Sequence, residues 1–454
     1  MQPQSANSIS RGSLRASILR FARAKDNSSA AVKTMAVSIL ILVLNMLTGI
    51  LTARYLGPTG RGEQTAMVNW SQFMAFSMSL GIPSALIYHA KKNPEDAGSL
   101  YRMSLLIGLV SGIAATVIGI VLLPMWLKSF NDQVVLFAQV SMLLCPLVVI
   151  SQVNNAAFQF RGEYQKFNWQ RYLVPLLTLA VIGILIATHT VNPYTTALAY
   201  LLPAVPLFIW MTVQLLRTYP GRIRERGKQF KRLFNYGLGS YGNDLLGQFS
   251  GYIDQILIAA LLKPAELGLY AVAVSLARMV NFFSSSIKIV LFPKASELSK
   301  EEALELTFRA FRISTTCTLI GAALLMALAP LVIPLLYGKD FSEALTVFRL
   351  LLLEVTISGG TLILAQAFMA LGKPKFVSML QGVGLLLVIP LLFLLVPTYG
   401  LLGAGAAMVG SALLRFSFIL LNIRFNLKVR IPSLLINGGD IRWVKTTMNS
   451  YIRK

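Results

Sequence analysis

The amino-acid sequence predicts an all-α polytopic membrane protein, with twelve transmembrane helices in two six-helix lobes related by a pseudo-two-fold axis along the membrane normal. Three observations predict it. The chain is 55% hydrophobic and only 13% charged, against roughly 25% charged residues in a soluble domain. Its basic residues collect in alternate connecting segments. Two short motifs recur six spans apart.

A helical span needs about 20 apolar residues. Such runs are expected at 33–53, 67–89, 102–127, 134–158, 172–189, 194–216, 237–262, 267–292, 312–336, 344–371, 376–396 and 401–423. The joins carry chain breakers, among them Gly57-Pro58, Asn93-Pro94, Asn192-Pro193, Lys373-Pro374 and Pro397. Ahead of the first span, residues 1–32 form a basic tail. In it Leu14, Ile18 and Phe21 stand against Arg15, Arg20 and Arg23. That pattern fits either a short helix lying on the membrane surface or a solvated leader. No apolar core with a small-residue cleavage site follows, so no cleaved signal peptide is expected.

Residues 33–216 are expected to form the N-lobe, 217–236 a basic linker, and 237–424 the C-lobe. Residues 425–454 are expected to form a basic tail, in which Ile441, Val444, Met448 and Ile452 recur near helical spacing. Cys145 and Cys317 each lie in an apolar run and are expected to be small core residues without a disulfide.

With the N-terminus inside, the inner segments hold 32 Lys and Arg and the outer loops 5. Basic residues are retained on the cytoplasmic side. Both termini are therefore expected there, in a multi-pass protein of the cell membrane. The net charge of +23 then reports topology, and no nucleic-acid partner is expected.

The repeat is read from two matches. Leu56, Gly57, Pro58 and Gly62 align with Leu262, Lys263, Pro264 and Gly268 at an offset of 206. Ala157, Phe158 and Gly162 align with Ala367, Phe368 and Gly372 at an offset of 210. Each match joins one span to the sixth span after it, so the halves keep the same orientation in the membrane.

No Cys-x-x-Cys, His-Glu-x-x-His or phosphate-cradling glycine loop is present. No metal site, cofactor or catalytic residue is expected. Chemistry instead concentrates in the buried charges of the second half: Asp244, Asp254, Arg278, Lys288, Arg349, Glu354 and Arg415. In an antiparallel hairpin hinged at Glu266, Asp254 falls level with Arg278 and Asp244 with Lys288. A charge in hydrocarbon costs several kcal/mol, so such residues face a bundle interior or a wet cavity.

Two readings stand for these charges. They pair as Asp254–Arg278, Asp244–Lys288 and Glu354–Arg415 and lock helices together. Alternatively Arg278, Lys288 and Arg415 line a cavity for an anionic head group. There Asn243 and Gln248 assist, and Asp254, Asp244 and Glu354 pair with the bases or carry a coupling ion. The first half adds uncharged polar residues, including Asn69, Gln72, Gln152, Asn154 and Asn155.

Several segments resemble polysaccharide-exporting flippases of the multidrug/oligosaccharidyl-lipid/polysaccharide exporter superfamily. They are Ala53–Gly62; the run with Asp254, Ile256, Leu257, Ile258, Pro264, Gly268 and Tyr270; Phe292-Pro293-Lys294; Tyr337-Gly338 with Asp340-Phe341; and Ala370-Leu371-Gly372-Lys373-Pro374. The resemblance covers residues 33–424, and the hairpin is its most specific part. It implies two lobes around a cavity open alternately to each side, and passage of a polyprenyl-diphosphate-linked oligosaccharide to the outer leaflet. Peptidoglycan-precursor flippases of this superfamily commonly carry two further spans, which this chain lacks; that favours the O-antigen, capsule or exopolysaccharide branch.

The expected function is thus a lipid-linked oligosaccharide flippase, not an enzyme. Its expected partners are that substrate, the bilayer, a polysaccharide polymerase, and a proton or sodium ion as coupling species. A multidrug antiporter on the same fold, or a membrane glycosyltransferase or polymerase, are the alternatives.

Overall fold

The computed structural model describes residues 10–296, 298–429, 433 and 436–440. Of residues 10–35, of scattered positions in spans 7 and 8, and of Pro374, it describes the backbone alone. Among the described residues every regular element is a helix.

Eight helices are long and apolar enough to cross a membrane. Two of them are double. Ser10–Ser77 has 68 residues and Pro374–Asn426 has 53. At 1.5 Å per residue either would be more than twice as long as a hydrocarbon layer about 30 Å thick. Each breaks at one glycine in the left-handed region, Gly57 (φ 66°) and Gly400 (φ 56°). Pro58 then suits the first turn of the second span. Adding Arg226–Leu261 and the pair Pro264–Met279 and Asn281–Ser296, which carry charges, gives a total compatible with twelve spans. The outer surface is apolar: Leu331 is 67% and Leu386 74% exposed, as lipid-facing residues are.

Several spans are interrupted. The second continues past a bend as Ile82–Lys92. The fourth joins Asp132–Ser141 to Cys145–Phe160 through a tight turn, and the sixth joins Pro193–Leu201 to Ala204–Thr218. The helix opening at Ser10 contains the stretch 13–25. The C-terminal pattern from Ile441 to Ile452 lies outside the described residues.

One repeat motif is built alike in the two halves. At the end of the fourth span Glu163 N donates to Phe158 O (2.9 Å), and Gly162 has φ 74°. At the end of the tenth, Lys373 N donates to Phe368 O (2.8 Å), and Gly372 has φ 70°. Each is a helix C-terminus closed by a left-handed glycine. A new helix follows at once, at Tyr164 and at Pro374.

The other motif joins the halves. A Cβ on Gly62 would lie 1.8 Å from Pro264 O, and one on Gly268 would lie 1.9 Å from Pro58 O. The contact is reciprocal, each half presenting the same glycine to the same proline carbonyl, as at a two-fold interface.

The loop 217–225 marks one face of the protein and the turn at Lys263 the other; they are called here the linker face and the hairpin face. One core cluster, running from Ala53 to Ala407, includes Met67, Phe130, Tyr270, Tyr337 and Phe341 and unites both halves from mid-depth to the hairpin face. At the linker face the cores are separate: one lies within Ile82–Leu233, the other within Leu291–Leu427. The halves touch there on one flank, where Ile82–Lys92 packs on span 7 and the rings of Tyr88 and Tyr236 stack at 4.3 Å. The expected linker is partly helical, since span 7 begins at Arg226, and Arg232 Nη1 pairs with Asp96 Oδ2 at 2.8 Å.

Cys145 is buried against Ser71 and Met142, but Cys317 is exposed on span 9. The apolar run that suggested a core position for Cys317 faces lipid there.

Candidate functional site

The central hairpin closes at Lys263, where Pro264 opens the second helix and Glu266 Oε2 accepts from Lys263 N (3.1 Å). That turn sets the register. Asp254 lies opposite Arg278, whose Nη2 donates to Asp254 Oδ2 at 3.2 Å. Tyr270 Oη donates to the same oxygen at 3.0 Å. Arg278 Nη1 also donates to the Gly251 carbonyl at 3.2 Å. Asp254 is 1% exposed, whereas the Arg278 side chain is 41% exposed. The acid is sealed in the hairpin and the base looks out of it. Asp254 Oδ1 stays buried without a partner among the described residues.

A second pair sits on spans 10 and 12. Glu354 Oε1 accepts from Ser358 Oγ at 2.6 Å, Ser358 Oγ accepts from Arg415 Nη2 at 3.0 Å, and Arg415 Nη2 lies 3.5 Å from the carboxylate. Gly384 of span 11 makes room for this arginine: a Cβ there would meet Arg415 Cδ at 2.4 Å. Arg415 Nε is buried with no partner among the described residues. Span 8 packs on span 10, so both pairs belong to one polar layer of the second half.

Lys288 is half-buried on the second helix of span 8, with no carboxylate in salt-bridge range among the described residues. The side chains of Asp244, Asn243 and Gln248, and of Phe292, Pro293 and Lys294, lie outside the described residues. The proposed Asp244–Lys288 pairing therefore does too. Arg349 is exposed on span 10.

The sequence reading missed two basic residues in the first half. It began span 5 at 172 and took Arg171 for loop, but the helix starts at Tyr164. The repeat itself held the signal. Span 11 opens at Pro374, and the offset of 210 carries that start to Tyr164. Arg61, taken for an outer loop, lies inside the helix and donates to Thr52 Oγ1 (3.0 Å), Gln64 Oε1 (2.6 Å) and Tyr200 Oη (3.4 Å).

Arg171 edges a cavity of about 580 Å³ set among spans 2, 4, 5 and 6, with Tyr252 of span 7 on its wall. Across the seam between the halves, Asn69 Nδ2 donates to Gln255 Oε1 (2.5 Å) and the Phe76 and Tyr252 rings stack at 5.9 Å. Tyr252, two residues before Asp254, thus sets one wall of the cavity at the seam.

The sequence and fold were compared with known proteins. Residues 50–346 match a family described as polysaccharide biosynthesis protein. A putative O-antigen transporter of Shigella flexneri is 21% identical over 381 residues, 78% of this chain and 87% of that protein. A probable low-salt glycan biosynthesis flippase of Haloferax volcanii is 23% identical over 184 residues, 40% of this chain and 39% of its own length. Among solved structures, the lipid II flippase MurJ in an inward closed conformation superposes with TM-score 0.74 at 13% identity, over 93% of this chain and 91% of MurJ. An inward-facing multidrug transporter of the MATE family gives 0.68 at 17% identity, over 86% and 96%. This chain shares its fold with these neighbours. The family match covers most of the chain, including both glycine-proline motifs and the Asp254–Arg278 hairpin, and the protein belongs to this family of polysaccharide biosynthesis proteins.

Proposed function

We propose that the protein is a flippase carrying polyprenyl-diphosphate-linked oligosaccharide units from the cytoplasmic to the outer leaflet of the cell membrane. The carrying observation is Arg278, an intramembrane guanidinium fixed by a sealed carboxylate yet 41% exposed. A lipid diphosphate brings about two negative charges into a low-dielectric layer, and an arginine fork answers them with paired hydrogen bonds. Lys288 and Arg415 border the same half; Asn243, Gln248 and Asp244 belong to the same site in this reading. The relatives named transporter and flippase fit it, and leave the glycosyltransferase and polymerase alternatives without support.

The charge asymmetry supports cytoplasmic termini, so the hairpin face is the outer one. Lobes 33–216 and 237–424, bridged by 217–236 and flanked by tails 1–32 and 425–454, move against each other to alternate access. Asp254, with one unpartnered oxygen, and Glu354 are the acids placed to take up a coupling proton or sodium ion. A polysaccharide polymerase receives the product. A multidrug antiporter reading draws on the MATE likeness, but its cationic substrates would meet bases rather than free acids here.

The test is Arg278→Ala in cells making the polysaccharide. Export is expected to fall below a tenth of wild type at unchanged protein level, about 1.4 kcal/mol or more of lost interaction. Lipid-linked units should accumulate on the inner leaflet. Normal export in that variant contradicts the assignment, and acquired drug resistance would favour the antiporter.

A further inference from the structure

The first half holds a chamber that the charge chemistry of the second half does not use. It measures about 580 Å³, within the span of small-molecule sites. Its polar wall is Gln72, Ser151, Gln152, Asn155, Gln170 and Arg171. Tyr200, Tyr252, Phe76 and Phe208 supply aromatic surface. No carboxylate lines it among the described residues.

Gln152 Nε2, Asn155 Oδ1 and Gln170 Oε1 are each buried with no hydrogen-bond partner among the described residues. Three amide side chains that line one chamber thus each carry an unmet atom, whereas buried polar atoms are nearly always paired. The adjacent Asn154, which does not line the chamber, is met instead: it bonds both Tyr101 (2.9 Å) and Thr212 (2.8 Å). Arg171 has no carboxylate in salt-bridge range among the described residues; its guanidinium lies 5.4 Å from the Phe167 ring and donates to Ser38 Oγ at 3.4 Å.

We infer that this chamber is a glycan subsite, which holds the oligosaccharide while the diphosphate sits at the second half's arginines. Every sugar hydroxyl is both donor and acceptor, and an amide side chain offers both complements. Tyr and Phe faces provide the flat apolar surface that the C–H faces of pyranose rings pack against. A cationic drug finds no acid there. An apolar tail would leave the amides unmet. The inference rests on the proposed substrate class and adds where its sugar part binds.

The experiment uses the full chain in lipid nanodiscs and two probes. One is farnesyl diphosphate, which carries no sugar. The other is the oligosaccharide freed by mild acid from the lipid-linked fraction of the producing cells, which carries no diphosphate. Wild type is expected to bind both. Gln152→Leu with Gln170→Leu is expected to weaken the oligosaccharide at least about tenfold, to leave farnesyl diphosphate unchanged, and to keep the wild-type melting temperature or raise it. Arg278→Ala is expected to do the reverse to the two probes. Gln152→Met alone gives a milder version if the double variant does not fold. Failure of the oligosaccharide to bind wild type, or its undiminished binding to the amide variants, overturns the glycan subsite. Failure of farnesyl diphosphate to bind overturns the flippase reading instead.

Discussion

In the first half, Gly162 closes the fourth span at φ 74° and a new helix begins two residues on; in the second, Gly372 closes the tenth at φ 70° and does the same. Gly62 and Gly268 press on each other's proline loops within 0.1 Å of the same hypothetical clearance. The side chains of the two halves diverge. The second places the pairs Asp254–Arg278 and Glu354–Arg415 within its spans, with Arg278 part-exposed. The first offers amides and one arginine without an acid around an open chamber. Backbone corners are fixed by how two lobes must fit, so they repeat. Interior polar groups are fixed by what passes between them, so they differ.

The sharpest break of this comparison is at the shared corner. Gly62→Ala or Gly268→Ala puts a methyl inside the partner's carbonyl contact, and backbone has little room to yield. Spans 2 and 8 must then separate, at about 3 kcal/mol or more, and export is expected to be lost. Gly49→Ala and Gly183→Ala, with nothing within 4 Å, are expected to be neutral or to stabilise by up to about 1 kcal/mol. Melting in detergent and complementation of export read both.

Next comes the hairpin pair. Asp254→Asn leaves Arg278 without its counter-ion. Removing one partner of a buried pair costs about 3–5 kcal/mol. With the guanidinium part exposed and screened, about 1–3 kcal/mol is expected. Adding Arg278→Gln should return much of the stability but none of the export. Recovery of both would reduce the pair to a structural clamp.

A smaller effect is expected at the tail. Asp440 is 1% exposed and accepts from Arg312 Nε (2.6 Å) and Nη2 (2.8 Å), pinning the segment after span 12 onto span 9. The Arg312 hydrogen bonds, followed by the Asn437 amide and the charges of Arg312 and Arg309, hold its carboxyl below the usual range. A lowered carboxyl stabilises the folded chain above the ordinary aspartate pKa of about 3.9 and loses that effect as pH falls through the folded value. Wild type and Asp440→Asn should therefore differ by a constant small margin from pH 5 to 8 and converge only in stronger acid. Protease protection of the tail against pH checks this.

Much of this was legible in the sequence. Hydropathy pointed to an all-helical membrane chain, and the described helices are compatible with twelve spans, since bilayer thickness sets their length. Index arithmetic placed Asp254 against Arg278, because Pro264 leaves a hairpin little slack. Glu354–Arg415 is also among the pairings that the buried charges suggest. The chamber was not legible as a site: Gln72, Gln152 and Asn155 were noted as polar, but their convergence depends on how spans 2, 4 and 5 pack. Arg171 was missed because hydropathy falls at Asn168–Tyr172, which resembles a loop end. Periodicity says nothing of whether an amide is met, so Gln170 had no signal.

The most direct test of the central claim is reconstitution. The protein in sealed proteoliposomes is offered the lipid-linked oligosaccharide in one leaflet, and its arrival in the other is followed by access to an added glycosidase. Wild type is expected to translocate it, and Arg278→Gln, still folded, to do so at less than about a tenth of that rate. Equal rates for the two proteins, or no translocation by wild type, would contradict the account.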